Sequence, residues 1–119
     1  MLTLSSLVIS AVLLLVLDIP WLYVNQNVAG SMIRAIQGSS VQLRIVPSVI
    51  VYLLLAYLLT IPGSAKEAFL LGAATYGVYD ATNYATLKKY SPVFAVADTL
   101  WGGILLSTAW IIRRKYIKY

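Results

Sequence analysis

Four long apolar stretches, each close to the length of a membrane-crossing helix, alternate with short polar connections along this chain. They fall at about residues 2–24, 43–61, 66–87 and 92–112. Roughly 20 apolar residues cross the hydrocarbon of a bilayer as a helix, so each stretch reads as a span. The expected fold is all-α: an integral membrane four-helix bundle forming a single domain over residues 1–119.

The boundaries carry helix punctuation. The first stretch passes through Pro20, Trp21 and Tyr23 and closes at Asn25-Gln26-Asn27. Pro20 has no N–H and deprives the Val16 carbonyl of its helical partner. With no basic n-region and too great a length for a signal peptide, the stretch is read as a retained span. Val28, Met32, Ile33 and Ile36 then recur at helical spacing, which predicts a separate interfacial helix at about 27–38, ending at Gly38-Ser39-Ser40. The second stretch has Pro47 in its first turn, carries no charge, and stops at Pro62-Gly63; it reads as a scaffold helix. Ser64 precedes the third, with Glu67 in its first turn, and Ser91-Pro92 fit the cap and first position of the fourth.

Composition agrees with a bilayer as solvent: 61% of residues are hydrophobic and 11% charged. The net charge of +5 comes from residues that flank apolar stretches and gather in a basic C-terminal tail, Arg113, Arg114, Lys115 and Lys118. That placement predicts anchoring at the membrane edge and no nucleic-acid partner. The chain has neither cysteine nor histidine, which excludes disulfides, thiolate zinc sites and imidazole acid–base pairs. No metal site and no cofactor is expected. The near-even spread of basic residues is tipped by the tail toward cytoplasmic termini, with the acidic residues toward the outer or lumenal leaflet.

Chemistry is concentrated in Asp18, Asp80 and Asp98, one in each of three apolar stretches. A charged side chain at the centre of a bilayer costs about 2.5–3.5 kcal/mol on insertion scales and is kept where it faces protein or water. Counted along up-and-down spans at about 1.5 Å per residue, all three lie roughly 10 Å below one surface. Asp18-x-x-Trp21 is echoed by Asp98-x-x-Trp101, and Asp80-x-x-Asn83 shares the spacing, which places each pair on one helix face. In the third stretch Ala73, Tyr76, Gly77, Asp80, Asn83 and Tyr84 share an arc of roughly 120°. In the fourth, Gly102, Leu105 and Ala109 align with Asp98. Small and polar residues on one arc predict close helix packing. Three adjacent carboxylates need compensation, by protonation, by hydrogen bonds from Asn83, Tyr76 or Tyr79, or by a bound cation.

The combination of Leu17-Asp18 with Trp21-Leu22, Tyr79-Asp80-x-Thr82-Asn83-x-Ala85-Thr86-Leu87, and Asp98-x-x-Trp101-Gly102 resembles a family of small four-span predicted membrane proteins of unknown function, with members in bacteria and large DNA viruses. The resemblance covers nearly the whole chain and implies a four-helix integral membrane protein without assigning an activity.

The functional expectation is an intramembrane site that binds protons or small monovalent cations, serving ion or small-solute transport or permeation, with a homo-oligomer expected because four short helices enclose little volume. Asp18, Asp80 and Asp98 are the expected ion or proton ligands; Asn83, Tyr76 and Tyr79 orient or line the site, and Trp21 and Trp101 wall it. The alternative is a structural or assembly protein of a virion or multi-subunit complex, in which the aspartates are interhelical glue. An enzyme is not expected, since no nucleophile, phosphate cradle or metal-ligand histidine accompanies the carboxylates.

Overall fold

A computed structural model describes residues 3–117, which form four helices: α1 (Leu4–Gln37), α2 (Ile45–Leu58), α3 (Ala65–Thr86) and α4 (Pro92–Tyr116). The ends of the chain, including Leu2 and Lys118, lie outside the described residues. Three of the four starts have a local cap, while α2 begins after Arg44 without a side-chain cap. Thr3 and Ser6 cap α1 reciprocally, each side chain bonded to the other's backbone. Ser64 accepts from the Glu67 amide at 3.1 Å, and Ser91 accepts from the Phe94 amide at 3.1 Å with Pro92 at the first helical position.

The boundaries differ from the sequence expectation in α1 and α4, and α2, at Ile45–Leu58, is shorter than the stretch expected at 43–61. The segment expected as a separate interfacial helix at 27–38 continues α1, which runs unbroken for 34 residues to Gly38, whose φ of 79° ends it in the left-handed region. Pro20 removes a single backbone donor, and Asn25 turns its side-chain amide onto the Trp21 carbonyl at 2.9 Å, so the polar run at 25–27 does not break the helix. The basic tail is also helical: Arg113, Arg114 and Lys115 form the last turn of α4, where cations complement the helix dipole.

By length and hydropathy, two of the described helices, α1 and α4, suffice to cross a membrane. α2 is apolar but has 14 residues, about 21 Å of rise against a hydrocarbon core of about 30 Å.

α4 packs against both α1 and α3, and α1 against α2. Leu14 of α1, Leu55 and Ala56 of α2, Leu59, and Leu105, Leu106 and Ala109 of α4 make one buried apolar cluster. The Trp110 indole closes the same end, donating to the Pro62 carbonyl at 2.9 Å. Polarity is inverted relative to a water-soluble bundle: Asp18, Asp80 and Asp98 are buried while Val12, Val16, Ile19, Leu54, Val96 and Leu100 are exposed. Contiguous exposed aliphatic surface over a buried acidic interior suits a lipid solvent.

Candidate functional site

Asp18 and Trp21 stand one turn apart on α1, as Asp98 and Trp101 do on α4, so each helix presents an acceptor and a donor on the same face. The two pairs exchange partners. Trp21 Nε1 donates to Asp98 Oδ1 at 3.0 Å, and Trp101 Nε1 donates to Asp18 Oδ1 at 2.7 Å. Pairing residue 18 with 101 and 21 with 98 requires the helices to run antiparallel. The second Asp18 oxygen, Oδ2, accepts from the Tyr52 hydroxyl of α2 at 2.6 Å, so three helices are bonded through one carboxylate.

α3 is drawn in by glycine. A Cβ on Gly72 would collide with the Gly102 carbonyl, and one on Gly102 would collide with the Tyr76 side chain and the Gly72 carbonyl, so the two backbones touch only because both positions lack side chains. That approach carries Asp80 to α4, where its carboxyl comes within electrostatic range of the Asp98 carboxyl. Asp80 is fully buried. Its Oδ1 accepts from the Tyr90 hydroxyl at 2.7 Å; its Oδ2 is buried without an N–H or O–H donor. Tyr76 lies among all of these groups, within electrostatic range of Asp18, Asp98, Tyr52 and Asp80.

Tyr90 sits in the connection after α3, beyond the helical spans. Burial first, and then its hydrogen bond to Asp80, push its phenol above the ordinary tyrosine range, so it is a fixed donor. Asn83, expected to orient an aspartate, instead adjoins the Tyr90 hydroxyl. Tyr79 is 61% exposed and bonds none of the aspartates; one residue before Asp80, it is turned about 100° away on the helix. Tyr52 and Tyr90, the phenols that do hold aspartates, were not distinguished by sequence. Their only signal was an isolated hydroxyl in an apolar span and a tyrosine next to a helix cap.

A cavity of about 450 Å³ opens beside the cluster, between the distal half of α1 and the facing ends of α3 and α4. Asp18, Asp98, Trp21, Tyr76 and Tyr90 line it, and exposed Gln26, Val41 and Tyr79 connect it to the surface. Trp101, Asp80 and Asn83 are not on its wall. Among the described residues no group of three or more acidic side chains is placed to hold a metal ion.

No curated protein and no solved structure matches the chain. A family model described as "Predicted membrane protein (DUF2177)" matches residues 3–113, a span that takes in both aspartate–tryptophan pairs, Asp80 and the glycine seam, and the chain belongs to that family of predicted membrane proteins.

Proposed function

We propose that this chain is a multi-pass membrane protein whose aspartate cluster takes up and releases protons in the service of ion or small-solute transport or permeation. The observation that carries the reading is the Asp80–Asp98 pair. The two carboxyls are electrostatic neighbours, and one oxygen of the pair, Asp80 Oδ2, is buried with no donor. The donors around the cluster, Trp21, Trp101, Tyr52 and Tyr90, are all neutral. Ionised together, the two acids would repel; a proton held between them removes the repulsion and satisfies the orphaned oxygen. Asp98 borders the cavity while Asp80 lies behind it, so exchange with water runs through Asp98. The basic last turn of α4 favours cytoplasmic termini, and the exposed apolar faces of α1 and α2 leave room for self-association in the lipid.

A second reading has its own support: reciprocal indole–carboxylate bonds tie α1 to α4 whether or not a proton moves, as an assembly or structural role would need. Flux separates the two. Protein reconstituted in liposomes with a lumenal pH dye should acidify the lumen under an imposed gradient, and Asp98→Asn should abolish that uptake while retaining the helical thermal transition. Wild-type vesicles that behave like empty ones, or an Asp98→Asn variant as active as wild type, would sink the proton reading and leave the assembly role.

A further inference from the structure

The wall of the cavity combines two kinds of group that attract the same class of ligand. Asp18 and Asp98 contribute carboxylate oxygens; Trp21, Tyr76, Tyr90 and Phe94 contribute aromatic rings, and no lysine or arginine lines it. Ring faces attract a cation through their quadrupole, most strongly where water is excluded. A hard metal ion is held chiefly by carboxylates, and among the described residues no group of three or more acidic side chains is placed to hold one. An anion would face two acids. About 450 Å³ is instead the size of a small-molecule pocket.

Asp98 is the group that would pair with such a ligand. It is 8% exposed, lines the cavity, and accepts one bond from the protein, the Trp21 indole on Oδ1. Behind it Asp80 Oδ2 is buried and lacks a donor. The spare acceptor capacity facing the cavity therefore belongs to Asp98, whose one bond from the protein leaves its second oxygen for a ligand.

We infer that this cavity is a binding site for a small organic ammonium cation, paired with Asp98 and enclosed by Trp21, Tyr76, Tyr90 and Phe94. The inference rests on the proposed proton site, because the cation and the proton compete for the same carboxyl pair. When the cation enters, the proton held between Asp80 and Asp98 passes to cavity water and leaves to bulk; one positive charge replaces another. The titratable groups that line the cavity or act on Asp98 are Asp18 on α1, Tyr76, Tyr79 and Asp80 on α3 and Tyr90 on the connection, so no neighbouring cation supplies the compensation instead.

The test uses choline and its uncharged carbon isostere, dimethylbutanol, with the full chain in detergent. Calorimetry and indole fluorescence should show saturable choline binding, with Trp21 as reporter, and weakly buffered solution should acidify as choline binds. Dimethylbutanol should not bind. Asp98→Asn should weaken choline by at least about tenfold, the order of one lost ion-pair or cation–π contact. Gly30 lines the cavity and an added Cβ there meets nothing within 4 Å, so Gly30→Phe fills the space without displacing an aspartate. That variant should keep the wild-type thermal transition and lose choline. Absence of choline binding, binding that the isostere matches, or binding that Gly30→Phe leaves intact overturns the cation site. If vesicle proton uptake persists in that case, the proton reading stands alone. Choline binding that releases no proton overturns the exchange.

Discussion

The indoles of Trp21 and Trp101 stack at 5.3 Å with ring planes 7° apart, and each sends its N–H to the aspartate that lies one turn from the other. The stack fixes the register of α1 against α4, and the two crossed hydrogen bonds make it directional. Neither indole can leave without unbonding a buried carboxyl.

Replacing either tryptophan by phenylalanine keeps a ring and deletes a donor to a buried carboxyl. A buried acceptor that loses its donor costs about 1–3 kcal/mol, so Trp101→Phe and Trp21→Phe should each lower stability by about that amount. Because the rings touch, the double variant should depart from additivity by at least about 0.5 kcal/mol. Thermal unfolding of the four proteins in detergent, followed by helical dichroism, measures both quantities; strictly additive losses would mean that the crossed pairs act independently.

Tyr90→Phe isolates the donor to Asp80. It leaves a fully buried carboxyl with neither oxygen bonded by a phenol, and the loss should be about 1–3 kcal/mol. There is also a pH signature. Folding holds the Tyr90 proton more tightly than the unfolded chain does, through burial and the Asp80 bond. The folded state therefore binds more protons once pH passes the ordinary tyrosine value of about 10, and stability falls as pH rises further. Below that value the contribution is complete. Denaturation midpoints at rising alkaline pH should fall less steeply for Tyr90→Phe than for wild type.

The glycines divide by environment. At Gly72 a methyl would press on the Gly102 carbonyl, and neither backbone can yield without separating α3 from α4. Gly72→Ala should cost about 1–3 kcal/mol or more, as overpacking does, and should weaken the Asp80–Asp98 approach with it. Gly30→Ala meets open space on a helical backbone and should raise stability by about 0.4–1 kcal/mol through the unfolded chain. Melting temperatures of the two variants should move in opposite directions.

Much of the site could be read before any coordinates. An aspartate on each of three stretches, two of them with a tryptophan one turn away, follows from spacing, since helical rise converts residue counts into depth. What spacing cannot give is the partner across a contact. Trp21 was placed beside Asp18 by sequence but bonds Asp98, because a side chain on the same face as its neighbour points with it toward the next helix. Tyr52 looked like an ordinary residue of an uncharged scaffold helix until α2 was laid against α1. On α3 the buried stripe is Ala68, Gly72 and Asp80, a four-residue step, and Tyr84 at its far end is 54% exposed; the wheel gives a direction, while the length of the packing seam depends on where the neighbouring helix ends. The interfacial helix failed for a local reason, since polarity at 25–27 marks where a helix leaves the hydrocarbon without supplying a backbone reason to stop.

Asp18 offers the sharpest separation of shape from charge. It accepts from Trp101 on one oxygen and from Tyr52 on the other, with no acidic side chain bonded to it. In Asp18→Asn the amide oxygen can keep the Trp101 bond, and the Tyr52 hydroxyl can rotate to accept from the new NH2, so every polar group retains a partner. In Asp18→Leu, which keeps the branched skeleton, the indole N–H and the phenol O–H are both orphaned, and each unsatisfied buried group costs about 1–3 kcal/mol. Asp18→Asn should therefore melt within a few degrees of wild type, while Asp18→Leu should lose several kcal/mol. Replacing Tyr52 by Phe in the leucine background removes one of the two orphans and should recover part of the loss. If Asp18→Asn proves as damaging as Asp18→Leu, the charge itself holds α1, α2 and α4 together, and hydrogen-bond satisfaction does not account for their packing.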